Sequence, residues 1–226
     1  MSLLGKAALA MWWDIAPEVK VDFEDWHSHE HFPERLGIPG FRRASRWRSA
    51  TGGDGVFVMY ELEAYDTLSS SHYLARLNAP SPWSTRMMPH HRNMVRSQCV
   101  VLESNGAAIA ANALTVRLSP AEGRSDDLRA FLKSLAGRLA MKPGLVGAHL
   151  LMHRTPAIAR TTEQKIRGAD QVADWVFVAC GYDLAALAHL ARNELSAESL
   201  AGRGAAPGAI GALYALACSA TPADVA

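Results

Sequence analysis

The stretch IPGFRRASRWRS, residues 38–49, is echoed by KPGLVGAHLLMHR, residues 142–154, and the echo decides the fold. Each places a Pro-Gly turn directly before a β-type run. Their glycines, Gly40 and Gly144, stand 104 residues apart. Backwards from each turn lies an amphipathic segment, FEDWHSHEHFPERLG or DDLRAFLKSLAGRLA, and before that an apolar strand, ALAMWWDIAPE or ANALTVRLSPAE. Forwards comes a second apolar run, VFVMYELEAYD or WVFVACGYD. A helical pattern follows, SSSHYLARL or LAALAHLARNEL, and each copy closes on a β-type run, SQCVVLES or LYALACSA.

Each copy therefore reads strand, helix, strand, strand, helix, strand, the split βαββαβ order of a ferredoxin-like unit. The predicted units are residues 1–106, bearing the site, and 107–226, a degenerate structural copy. The link between the second and third strands is a short Gly-rich hairpin in the first copy and a longer polar insertion, TPAIARTTEQKIRGADQ, in the second. A four-stranded sheet with helices on one face leaves its other face bare. Two such units in one chain are expected to put sheet against sheet, an α+β pseudo-dimeric barrel. The run WHSHEHFPERLGIPGF, residues 26–41, followed by a strand, resembles EthD-like members of the dimeric α+β barrel superfamily. That resemblance implies the barrel fold. It leaves the reaction open, because the superfamily includes monooxygenases, cyclases, isomerases, haem enzymes and members without known activity.

Composition excludes several function classes. Charge is balanced, 23 basic against 22 acidic residues, with FRRASRWRS as the one basic cluster. No nucleic-acid or anionic-membrane partner is expected from that. Cys99, Cys180 and Cys218 lie far apart in apolar runs, the pattern of free thiols in a reducing compartment, so a cytoplasmic location is expected. The N-terminal apolar run reads as a first strand rather than a signal peptide, and no run is long enough for a transmembrane helix. Phosphate loops, dinucleotide fingerprints and nucleophile elbows do not occur, and no cofactor is implied.

The candidate chemistry lies in DFEDWHSHEHFPERLGIPGF, residues 22–41. Asp22 is the expected N-cap, Pro33 a kink and Gly37 the stop. His27 and His31, four apart, share one helix face. They could act as general acid/base groups facing a cavity between the sheets, bind a metal with Glu30 or Glu34, or sit on a solvated face. The i,i+4 pair lacks an HExxH pattern and no metal site is assigned. At the 104 offset, Trp26, His27, Glu30 and His31 align with Ala130, Phe131, Ser134 and Leu135, so the first copy carries titratable groups where the second is apolar. Arg46 is the candidate for stabilising negative charge, on a strand where Phe41, Arg43, Ser45 and Trp47 alternate against Arg42, Ala44, Arg46 and Arg48. The competing role for these arginines is pairing with Glu61 or Glu63. Trp26, Trp47, Tyr60, His72, Trp83 and Arg86 are candidate ligand contacts. The last two lie in the long segment 77–96, which reads as a lid or as a helix joining two subunits of a homodimer. The expected function is binding of a small molecule, with cofactor-independent acid/base chemistry on an aromatic or polyketide-like carbonyl compound. The alternatives are a non-catalytic or stress-associated barrel and, more weakly, a metal or haem protein.

Overall fold

The computed structural model describes residues 2–168 and 170–225. The first repeat comprises β1 (Ala7–Asp14), α1 (Lys20–Trp26), a π-helical turn (His27–His31), α2 (Phe32–Leu36), β2 (Phe41–Ser49), β3 (Gly55–Leu62), α3 (Ser71–Asn78), α4 (Pro82–Met87) and β4 (Arg92–Gly106). The second comprises β5 (Asn112–Leu118), α5 (Ser125–Leu139), β6 (Leu145–His153), α6 (Thr162–Arg167), β7 (Trp175–Gly181), α7 (Leu184–Arg192), α8 (Ala197–Gly202) and β8 (Ile210–Ala220).

The eight strands close into one barrel, β1-β3-β2-β8-β5-β7-β6-β4, antiparallel throughout. Each repeat contributes a ferredoxin-like sheet, β2-β3-β1-β4 and β6-β7-β5-β8. The second strand of each repeat pairs with the fourth strand of the other, so both pairs of open edges are sealed. The duplication extends to details. Gly40 and Gly144 both take the left-handed conformation, with φ of 95° and 87°. One residue later each following strand carries the same register shift, between Phe41 and Arg43 and between Leu145 and Gly147.

That bulge re-aims β2. Beyond Arg42 the alternation is displaced by one, so Ala44 joins Phe41 under the helices while Trp47 turns into the barrel. Arg43 also points inward and forms a two-pronged ion pair with Glu61, at 2.7 and 2.8 Å. Arg42 pairs with Glu63 on the surface at 2.8 Å. The face assignment expected from simple alternation is thereby corrected.

Side chains fill the barrel interior where the histidines were expected to meet. Eight strands enclose space that side chains can fill. Trp12, Phe57 and Trp47 stack in series, each ring 5.0 Å from the next, with Met59, Leu151, Val176 and Val178 around them. Two further cores lie outside the barrel, one beneath each layer of helices. In the second repeat, α5 buries Leu128, Leu132, Leu135, Ala136 and Leu139, the stripe of an amphipathic helix.

The first-repeat helix differs by one inserted residue. It starts at Lys20, so Asp22 lies in its first turn rather than at the cap. Its hydrogen bonds then widen, the amide of Phe32 donating to the carbonyl of His27, five residues back. This π-turn absorbs the extra residue and brings the chain to Pro33, which falls in the first turn of α2 where its missing N–H costs little. Upstream of the π-turn the structural offset between repeats is therefore 105, not 104. His27 lies opposite Leu132, while His31 and Arg35 lie opposite Leu135 and Leu139. Phe131 is the counterpart of Trp26, a correction to the alignment read from sequence.

Candidate functional site

The π-turn faces the outer surface of the first sheet, and the candidate site lies there, between helix and sheet. Its cavity, about 30 Å³, is lined by Met11 and Trp13 of β1, Trp26, His27, His31, Met88, His91, Met94 of β4 and Arg167. The sequence pairs His27 with His31 by spacing alone, and their rings lie 5.2 Å apart. Both are buried, 1% and 7% exposed. His31 packs against Trp26 at 4.5 Å, His27 against Phe32 at 4.3 Å, and His91 against Trp13 at 4.8 Å.

These surroundings keep the imidazoles neutral. Burial holds His27 well below the ordinary histidine range, and the charge of Arg46 adds to the effect. Burial does the same to His31, seconded by Arg35. His91 is pushed down to about 4, by burial and then by Arg167. The Nδ1 atoms of His27 and His31, and Nε1 of Trp13, are buried without a hydrogen-bond partner among the described residues. A buried polar atom left unpaired costs about 1–3 kcal/mol, so this wall is expensive to maintain.

The supporting structure comes from two directions. Helix α4 is tied to the π-turn through Glu30, whose carboxylate accepts from Trp26 Nε1 at 3.1 Å, Ser84 Oγ at 3.3 Å and Ser81 Oγ. Trp83 Nε1 donates to Asp22 at 2.9 Å and Arg86 lies 3.6 Å from the same carboxylate. The segment 77–96 thus carries one short extra helix, α4, packed against the first repeat. From the second repeat, the 21-residue insertion 154–174 crosses onto the first and supplies Glu163 and Arg167. Glu163, 2% exposed, pairs with the buried Arg35 and with Arg167. Burial alone lowers the guanidinium of Arg35, but Glu163 beside it raises it again and keeps it charged.

The predicted residues separate into two groups. Trp26, His27 and His31 converge. Arg46 does not join them: its Nη1 and Nη2 donate to the Glu24 carbonyl and Ser28 Oγ, at 3.2 and 3.1 Å, from a neighbouring cleft. Trp47 lies inside the barrel, His72 is exposed on α3, and Trp83 and Arg86 clamp α4. Tyr60 faces the helices near Phe32 and Phe41, its hydroxyl buried without a partner and its pKa raised by burial. Glu30 and Glu34 turn away from the histidines, Glu34 pairing with Arg35 at 3.2 Å. Among the described residues no group of three or more His, Cys, Asp or Glu side chains is placed to hold a metal ion. Sequence reasoning missed His91, Arg35, Glu163 and Arg167. The HH pair at 90–91 and the polar insertion were visible signals, but nothing local ties them to residues 27–31.

The architecture matches solved structures over nearly its whole length. An anthrone oxidase-like protein superposes with a TM-score of 0.65 at 11% identity, covering 98% of this chain and 96% of that one. A candidate monooxygenase of Fusobacterium nucleatum gives 0.61 at 8% identity, over 96% and 95%. Another, from Lactobacillus acidophilus, gives 0.61 at 9%, over 96% and 97%. The chain folds as an eight-stranded α+β barrel with both halves in one polypeptide. At such identities the likeness establishes this fold and no reaction. No family model and no curated protein matches the sequence. Among the described residues, no helix is long and apolar enough to cross a membrane.

Proposed function

We propose that the barrel binds a small aromatic or polyketide-like carbonyl compound in the histidine cavity of its first repeat and acts on it without a cofactor. The observation that supports this reading is the pair of unpartnered, buried Nδ1 atoms of His27 and His31 within a wall of tryptophan and methionine. A ligand bearing a hydroxyl or carbonyl would satisfy them. Neutral imidazole is the form that accepts a proton, so either histidine can take one from a carbon or hydroxyl beside a carbonyl group. Arg167, rather than Arg46, lies in the wall where negative charge would develop. Trp13 and Trp26 supply flat apolar surface.

A cavity of about 30 Å³ holds a water or two, not an aromatic ring. Binding therefore requires Met88 and Met94 to swing aside, as flexible thioether side chains do, or α6 to withdraw. The test is a fluorescence titration with an anthrone-type ketone, reading the tryptophans while substrate absorbance is followed. Saturable quenching with turnover is expected in the native protein, and loss of both in His27→Leu/His31→Leu with circular dichroism unchanged. Equal quenching in the two proteins would overturn the reading.

A further inference from the structure

A second, roomier cleft of about 360 Å³ lies at the seam between the repeats, where β4 meets β6 and the insertion crosses over. The insertion is stitched to β4 by backbone hydrogen bonds, Gln171 N–H to the Met94 carbonyl and Arg96 N–H to the Gln171 carbonyl, each 2.8 Å. Helix α6 separates this cleft from the histidine cavity: Arg167 lines the cavity, and Gln164 and Gly168 line the cleft.

Arg96 and Gln98 form its floor. Two apart on one strand, they share a face. They are 6% and 4% exposed. Arg96 Nη2 donates to the Tyr73 hydroxyl at 3.0 Å, and no carboxylate among the described residues lies within 4.0 Å of its guanidinium. Gln98 Nε2 is buried with no hydrogen-bond partner among the described residues. Unpaired buried cations are costly, and proteins seldom keep one without a counter-charge. Of the other charged side chains here, Arg160 is exposed to solvent with no carboxylate within 4.0 Å among the described residues, and Asp170 is already matched. Arg160 Nη2 donates to the carbonyls of Gln164 and Gly168, at 3.2 and 2.7 Å, and Asp170 pairs with Arg167 at 3.1 Å. His153 accepts the Gln98 backbone N–H on Nδ1 at 3.2 Å, which puts the proton of its neutral form on Nε2, where Thr155 Oγ1 lies at 3.4 Å. Pro156, Ile158 and Val172 make the remaining wall apolar.

We propose that the seam cleft binds a small-molecule carboxylate, its oxygens on Arg96 and Gln98 and its hydrocarbon body against Pro156, Ile158 and Val172. One buried uncompensated cation, Arg96, suits a monoanion. The carboxylate of Asp170 at the rim disfavours a dianion such as phosphate. The volume is that of sites for small organic ligands. This site stands independently of any reaction in the histidine cavity.

Calorimetric titration tests it, with benzoate, the neutral isostere benzamide and inorganic phosphate as probes. Benzoate is expected to bind with one saturable site, and benzamide and phosphate at least about tenfold more weakly, the worth of one charge-assisted hydrogen bond. Gln98→Leu should weaken benzoate by a similar factor while circular dichroism stays native. Arg96→Met should weaken it further, and Gln98→Leu carries the test if that variant fails to fold. His27→Leu/His31→Leu should leave benzoate binding unchanged. Equal affinity for benzoate and benzamide, tighter binding of phosphate, or native benzoate affinity in Gln98→Leu would each overturn the proposal. So would loss of benzoate binding in the histidine variant, which would locate benzoate in the other cavity.

Discussion

Two helices occupy equivalent positions on the two halves of this barrel, and they bury different chemistry. Helix α5 lays Leu128, Leu132, Leu135 and Leu139 on its sheet, a stripe that needs no partner beyond other hydrocarbon. Its counterpart lays down Phe23, His27, His31 and Arg35. Three of those four can carry charge, and two keep ring nitrogens unpaired. The second repeat demonstrates that this fold packs well with leucine at the same places. The histidines are therefore not demanded by the architecture, and their cost of about 1–3 kcal/mol each stands against stability. Sites that trade stability for polar groups are where binding and chemistry are found.

The largest test of that contrast removes the counter-charge under the polar helix. Glu163→Ala leaves Arg35 buried without its main partner and loosens Arg167, and it should cost about 3–5 kcal/mol in urea unfolding. A loss below about 1 kcal/mol would show that the insertion merely rests on the first repeat.

Acid provides the next test. A histidine held neutral in the folded state but free to protonate when unfolded makes the unfolded chain bind more protons below pH 6.5, so stability falls as pH falls. The loss begins near the unfolded value of 6.5 and continues towards the depressed folded values, about 4 for His91 and well below the ordinary range for His27 and His31. At pH 5.5 each of His27 and His31 should withdraw about 1 kcal/mol relative to pH 7.5. Replacing Leu132 or Leu135 in the second repeat should lower stability equally at both pH values.

Much of this was legible in the chain. The paired Pro-Gly turns fix the duplication, because a left-handed glycine before a strand is a local requirement at Gly40 and Gly144 alike. Strand and helix order follow from periodicity, and the i,i+4 spacing of His27 and His31 puts them side by side. The side of the sheet they face was not legible, for two reasons of backbone geometry. A bulge after Phe41 reverses which β2 residues point inward, and a π-turn shifts the helix by one residue against its counterpart. Neither leaves a sequence pattern that alternation or a 3.6-residue period would register. His91 and Glu163 escaped because their proximity is tertiary, set by α4 and by an insertion that crosses from the other repeat.

The most direct measurement compares urea unfolding of the native protein and His27→Leu/His31→Leu at pH 7.5 and pH 5.5. The variant gives the first helix the residues of the second. It should be as stable as the native protein or more so at pH 7.5, by about 1–2 kcal/mol, and should lose most of the native protein's sensitivity to pH 5.5. A variant less stable at pH 7.5, with the native pH difference intact, would show that the histidines hold the fold together and that the contrast between the two helices carries no functional meaning.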